Sequence, residues 1–279
     1  MPDRARVIRA ERAPLLALDR DLADAVTPER QATAENALVA STYRLAVGEM
    51  GLDELELASA SDIGVLIVDG IIAREVLLGG TASTELLGAG DLIRPSAVDE
   101  PFGLLVSEVR WSVLSEARVA LLDKRLGVEL CRYPELYAAL IDRVSQRSSR
   151  QAVTEAISKL TRVDRRLMAL FWHIAERWGR VTPAGTVVRL RLSHRVLGQL
   201  VGARRPTVSA ALAALAETGE LVRTHDGSWL ICAASDRMHS DYAERFIAPR
   251  RKLLAPVVGS THHDGSVATE AELVLAQLA

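Results

Sequence analysis

Hydrophobic and polar positions change their period twice along this 279-residue chain. Over residues 1–40 Ala, Leu, Glu and Arg dominate, and Thr27-Pro28-Glu29-Arg30 offers an N-cap followed by Pro at the first helical position. This stretch is predicted to be a helical segment. After Leu38 the apolar runs become short, β-branched and divided by glycine. Residues 63–68 and 71–78 flank Asp69-Gly70, the signal of a two-residue hairpin turn, and Gly79-Gly80 follows. Residues 85–93 and Trp111-Ser112-Val113-Leu114 read as further strands. Short strands with turns about every eight to twelve residues predict an antiparallel β-roll over 41–120.

From about residue 120 the period is helical again. Pro134 opens a run in which Leu136, Leu140, Val144, Ser148, Ala152, Ala156 and Leu160 recur every four residues. A helix of about 27 residues spans roughly 40 Å, too long for the inside of one small domain. Its narrow stripe resembles a coiled-coil seam. Residues 121–160 are therefore read as a hinge and a dimerisation helix, with Leu136, Leu140, Val144, Ser148 and Ala152 in the seam, against the alternative of a helix packed across its own domain. Another helix is expected around 164–172. Residues 233–279 are read as a partly disordered C-terminal tail. The Thr261-His262-His263-Asp264-Gly265 stretch there is read as a solvated loop, and no metal site is expected, because no other ligands are grouped nearby.

The sharpest pattern is SHRVLGQLVGARRPTVSAALAAL, residues 193–215. Ser193 is an N-cap for a helix whose apolar face is Val196, Leu197, Leu200 and Val201, and Gly202 ends it. Pro206 suits the first turn of a second helix with Val208, Ala211, Leu212 and Leu215 inside. Two short helices meeting at a Gly turn form a helix-turn-helix. The second opens with Arg204, Arg205, Pro206 and Thr207 and carries Ser209 a turn later, at the end that enters a major groove. Residues 221–231 then read as a hairpin wing. An αα-hairpin without a ligand shares part of this pattern. The wing, the local charge and the long helix before it favour DNA binding over 161–232.

Charge supports the division. The formal net charge is −2, but residues 1–120 hold 11 Lys and Arg against 20 Asp and Glu, and residues 121–279 hold 23 against 16. An acidic half thus precedes a basic one suited to a polyanion. Residues 161–232 have 11 Arg, no Lys and 5 acids. All six histidines lie at or beyond His173, so a catalytic or His-ligated haem site is not expected in the first half. An enzyme on a barrel fold lacks a nucleophile motif there, and the chain is read as non-enzymatic. Cys131 and Cys232 support neither a disulfide framework nor zinc, and an iron–sulfur sensor needs about four cysteines. Cys131 is expected to be a buried structural thiol. No apolar stretch is long enough for a membrane span and no signal peptide is visible, so a cytoplasmic location is expected.

The α+β order of acidic β-roll, long helix and winged helix-turn-helix resembles the cyclic-AMP receptor protein / fumarate-nitrate reduction regulator (CRP/FNR) family. The resemblance rests on LGQLVGARRPTVSAALAAL and, more weakly, on IVDGIIAREVLL with LLGAGDLI, and covers about residues 40–232. It implies a homodimer on a two-fold symmetric DNA site, with the first domain sensing a signal and RNA polymerase as a further partner. It places Arg205 at the main base-reading position, able to bond guanine O6 and N7. Thr207, Ser209, Ser193 and His194 would then meet backbone or base, Arg204 would add a contact, and Arg223 and His225 of the wing would touch phosphate. Pro206 stands where the family often has a cytosine-reading glutamate, and Ala210 where it has a second arginine, so the operator should differ. In the sensor, Gly90, Asp91, Arg94 and Ser96 are the candidates for a rearranged effector site, against the competing reading of an irregular loop with a solvated arginine. No Arg-Ser or Arg-Thr pair follows Gly90-Asp91-Leu92-Ile93, and two prolines interrupt the segment. Cyclic AMP is therefore disfavoured, and no cofactor is expected. The competing reading is a protein-interaction adaptor that kept the fold and lost specific DNA binding.

Overall fold

The chain enters as a strand. The computed structural model describes residues 7–50, 63–94 and 107–232, all inside one unit that spans residues 1–234. Strand β1 (Val7–Pro14) leads into short helices α1 (Leu15–Leu18), α2 (Arg20–Asp24) and α3 (Pro28–Ala37), then β2 (Val39–Leu45). Thr27 is the N-cap of α3 and Pro28 its first residue. The helical expectation for residues 1–40 therefore needs correction over 7–14. That stretch pairs antiparallel with β2, from Val7 opposite Leu45 to Pro14 opposite Val39. An open sheet edge offers backbone partners that outweigh the helix propensity of Ala, Arg and Glu.

Strands β3 (Gly48–Met50), β4 (Gly64–Leu78), β5 (Thr81–Gly88), β6 (Leu92–Ile93) and β7 (Ser107–Leu122) complete the roll. The order is β1-β2-β7-β4-β5, with β3 also on β7 and β6 also on β4. Asp69-Gly70 is not the expected hairpin turn. β4 runs through it, with register shifts against β7 between Ile67 and Ile72. Gly70 has φ +87°, and a Cβ there would lie 2.4 Å from Ala117 Cα. The pair is a bulge where two long strands approach closely. The turn falls at Gly79-Gly80, between β4 and β5.

Helices α4 (Lys124–Leu130) and α5 (Pro134–Ser158) follow, then α6 (Val163–Trp178). The first turns of α5 bury Leu136 and Leu140 in their own chain, against a core that includes Leu15, Leu22, Leu38, Leu126 and Leu130. That corrects the seam: Leu136 and Leu140 face the N-terminal helices. Val144, Ser148 and Ala152 are exposed, and so is Ile141, whose surface is 67% accessible. Cys131 is also exposed, contrary to expectation, with its sulfur 3.9 Å from the Tyr137 hydroxyl.

Beyond α6 come β8 (Gly179–Thr182), β9 (Gly185–Val188), α7 (His194–Val201), α8 (Arg205–Glu217), β10 (Leu221–Arg223) and β11 (Trp229–Cys232). The four strands form one sheet in the order β10-β11-β9-β8. Its core centres on Phe171, whose ring lies 4.9 Å from that of Trp229. Ile71 of the roll is buried in the same core, with Leu86 and Leu114 packed on it. The predicted tail, with its histidines, lies outside the described residues.

Candidate nucleic-acid interface and its junction with the roll

Local sequence fixes the two-helix turn. Ser193 Oγ accepts the Val196 N–H at 3.2 Å, capping α7. Gly202 ends that helix at φ 64°, ψ 43°, the left-handed conformation that glycine adopts at least cost. α8 then starts with Arg205 and Pro206 and has no acid in its first turn, so its positive end is not neutralised. Val208, Leu212 and Leu215 hold the helix to the core. Arg204, Arg205, Pro206 and Thr207 are all exposed at its start.

The remaining predicted residues gather around that start. Nδ1 of His194 lies 2.8 Å from Ser209 Oγ, and the Ser209 hydroxyl donates to the Arg205 carbonyl at 3.1 Å. With that proton committed, Nδ1–H is the donor to Ser209 and Nε2 of the neutral ring is an acceptor. Burial holds the His194 pKa below its ordinary 6.5, and the charges of Arg223 and Arg205 push it the same way. Arg223 lies over the Trp229 ring, 5.5 Å from its centroid. His225 is exposed in the wing turn. Asp226 locks that turn by accepting from Thr224 Oγ1 and, at 3.0 Å, from the Ser228 N–H. These bonds lower its pKa to about 2.

Two cationic side chains beside the wing were absent from the expected set. Arg191 Nε donates to the Asp226 carbonyl at 3.1 Å, and Arg189 is exposed nearby. The signal was present in Arg189-Leu190-Arg191-Leu192, whose leucines are buried and whose arginines alternate outward.

The roll grips this unit through ion pairs. Glu75 on β4, 4% exposed, accepts from Arg195 of α7 at 3.0 Å and from Gln199 at 3.3 Å. Thr84 on β5 donates to Gln199 at 3.1 Å. Asp91, 1% exposed, accepts from the Gly88 N–H at 2.8 Å, from Arg150 of α5 at 2.5 Å and from Arg177 of α6 at 2.7 Å. Glu85 accepts both ends of Arg147, at 2.7 and 2.8 Å. Asp91 is thus a buried carboxylate held between two guanidiniums, and with Gly90, Arg150 and Arg177 it lines a cavity of about 280 Å³. Gly90 sits in the same turn at φ +85°. Arg94 is exposed, and Ser96 lies outside the described residues. Among the described residues no helix is long and apolar enough to cross a membrane, and no cluster of three His, Cys, Asp or Glu is placed to hold a metal.

Residues 165–235 match the Crp-like helix-turn-helix domain. In fold the chain is similar to a cyclic nucleotide-binding domain containing protein from Listeria monocytogenes EGD-e, at 15% identity over 77% of this chain and 97% of that one, with a TM-score of 0.56. It is also similar to a CooA mutant from Carboxydothermus hydrogenoformans, at 14% identity over 69% and 83% of the two chains, with a TM-score of 0.51. No curated protein matches the sequence. Residues 165–235 thus carry a Crp-like helix-turn-helix domain, in a chain whose fold is that of these two solved structures.

Proposed function

We propose that the protein regulates transcription by binding a two-fold symmetric operator as a homodimer, with a roll that answers to a signal other than cyclic AMP. The observation that carries this is the start of α8, where Arg204, Arg205 and Thr207 are exposed at an uncompensated helix N-terminus beside a cationic wing. Arg205 would read guanine, with Arg204 beside it. Thr207, Ser209, Ser193 and His194 would position the sugar–phosphate backbone, joined by Arg223, His225, Arg189 and Arg191 along the wing. The second copy would dock on the stripe of Ile141, Val144, Ser148 and Ala152, which this chain leaves uncovered. An iron–sulfur cluster and His-ligated haem are disfavoured as signals by composition, since residues 1–172 hold one cysteine and no histidine. RNA polymerase is a further partner on this reading.

The test is fluorescence anisotropy of a labelled duplex at rising salt. The log of the affinity should fall linearly with log salt, by about 0.9 per phosphate contact. Failure to bind duplex even at low salt would favour the adaptor reading.

A further inference from the structure

A cavity of about 530 Å³ opens where the β4–β5 hairpin faces α5, α6 and α7. That volume is within the range of small-molecule sites. Leu86, Leu170, Ile174 and Trp178 give it apolar walls, while Arg147, Arg150 and Arg177 meet at one side. Among the described residues those guanidiniums pair with two carboxylates, Glu85 and Asp91. Arg74, 3.7 Å from Glu85, adds a further cation. Glu155, the other acid on the lining, is paired with Lys159 at 2.6 Å. Arg147 spends a bidentate pair on Glu85, and Arg177 is fixed by Asp91 and by the Ala89 carbonyl at 2.8 Å. Arg150 gives a single N–H to Asp91, and its side chain stays 30% exposed. Burial lowers its pKa, as do Arg177 and Arg147 against the pull of Asp91, a sign of crowded positive charge. Charge of one sign next to apolar walls, where water screens poorly, selects an anion with an apolar body.

We propose that this cavity binds an organic acid, its acidic group seated on Arg150 between Arg147 and Arg177 and its apolar body between Leu86, Leu170 and Trp178. Arg94 is not part of its lining, and the proposal does not depend on the DNA reading.

The test uses the full chain without DNA and two fluorescent probes of nearly the same shape. One is 8-anilinonaphthalene-1-sulfonate and the other its neutral counterpart, N-phenyl-1-naphthylamine. The sulfonate should saturate at one site per chain and bind at least tenfold more tightly than the neutral probe. Arg150→Met should weaken the sulfonate at least tenfold, and Arg150→Lys less than threefold. Ser83→Trp, which fills the cavity rim without touching an ion pair, should also weaken it tenfold and keeps the test open should Arg150→Met fail to fold. Equal affinity for the two probes, or sulfonate binding unchanged by Ser83→Trp and by a folded Arg150→Met, would overturn the proposal. Because no duplex is present, either result leaves the DNA reading untouched.

Discussion

On the proposed function, Arg205 is the residue on which recognition of the operator sequence most depends. Replacing it with Ala should cost about 1–3 kcal/mol of discrimination at one guanine per half-site. Competition binding against operators altered at single positions measures this, and unchanged discrimination would remove Arg205 from the reading role. His194 makes a pH-dependent contribution. Its folded pKa lies below 6.5, first through burial and then through Arg223 and Arg205. The stability it contributes is therefore present above pH 6.5 and lost as pH falls through the lower folded value. Thermal melts of wild type and His194→Gln should diverge across that window, with the wild type losing more on acidification. Operator affinity should move the other way. A phosphate favours the imidazolium, whose Nε2–H donates, so wild type should gain affinity relative to His194→Gln as pH drops below 6.5. The cap at Ser193 and the glycine at 202 were legible because each follows from its neighbours in sequence. The His194–Ser209 contact was not, since it joins residues on two helices whose crossing no local pattern specifies.

Elements tell the same story at greater length. Gly70 and Gly79 both have positive φ, +87° and +56°, but a Cβ on Gly70 collides with β7 and one on Gly79 meets nothing within 4 Å. Gly70→Ala should destabilise by about 2–5 kcal/mol, from backbone strain plus overpacking. Gly79→Ala should cost only about 1 kcal/mol, and chemical denaturation of the two variants compares them. Equal losses would mean that β4 does not bulge there. Asp69-Gly70 looked like a turn because local signals cannot separate a hairpin from a bulge in a strand whose partner lies some fifty residues away. β1 escaped for a related reason: its composition favours helix, and only β2 makes it a strand. The helix-turn-helix and wing carry their own caps and turns, and were read correctly. At the junction, Arg195→Ala would leave the buried Glu75 carboxylate to Gln199 alone, costing about 1–3 kcal/mol. With Glu75→Gln already present, the same change should cost much less, a coupling that a double-mutant cycle of melting data resolves.

At the scale of the whole molecule, the near-neutral charge conceals an acidic roll bolted to an arginine-rich helix-turn-helix unit. The bolts are arginines of α5, α6 and α7 on carboxylates of the roll. Sequence located the two halves but not the bolts, because ion pairs across 59 to 120 residues leave no periodic trace. The long helix shows the limit clearly. Its four-residue stripe was visible, yet the stripe serves two purposes: Leu136 and Leu140 close the chain's own core, and the exposed part begins only at Ile141. A paired Ile141→Glu and Val144→Glu change should therefore leave the fold intact and drive the protein to monomer in sedimentation, while Leu136→Glu should unfold it. The most direct test of the central claim is selection of bound sequences from a random duplex pool by the purified full chain. The account predicts enrichment of a two-fold symmetric site, with half-site centres one helical turn or a multiple apart and a guanine in each half that is lost from the consensus of Arg205→Ala. Recovery of sequences without enrichment, or of a site without two-fold symmetry, would contradict it.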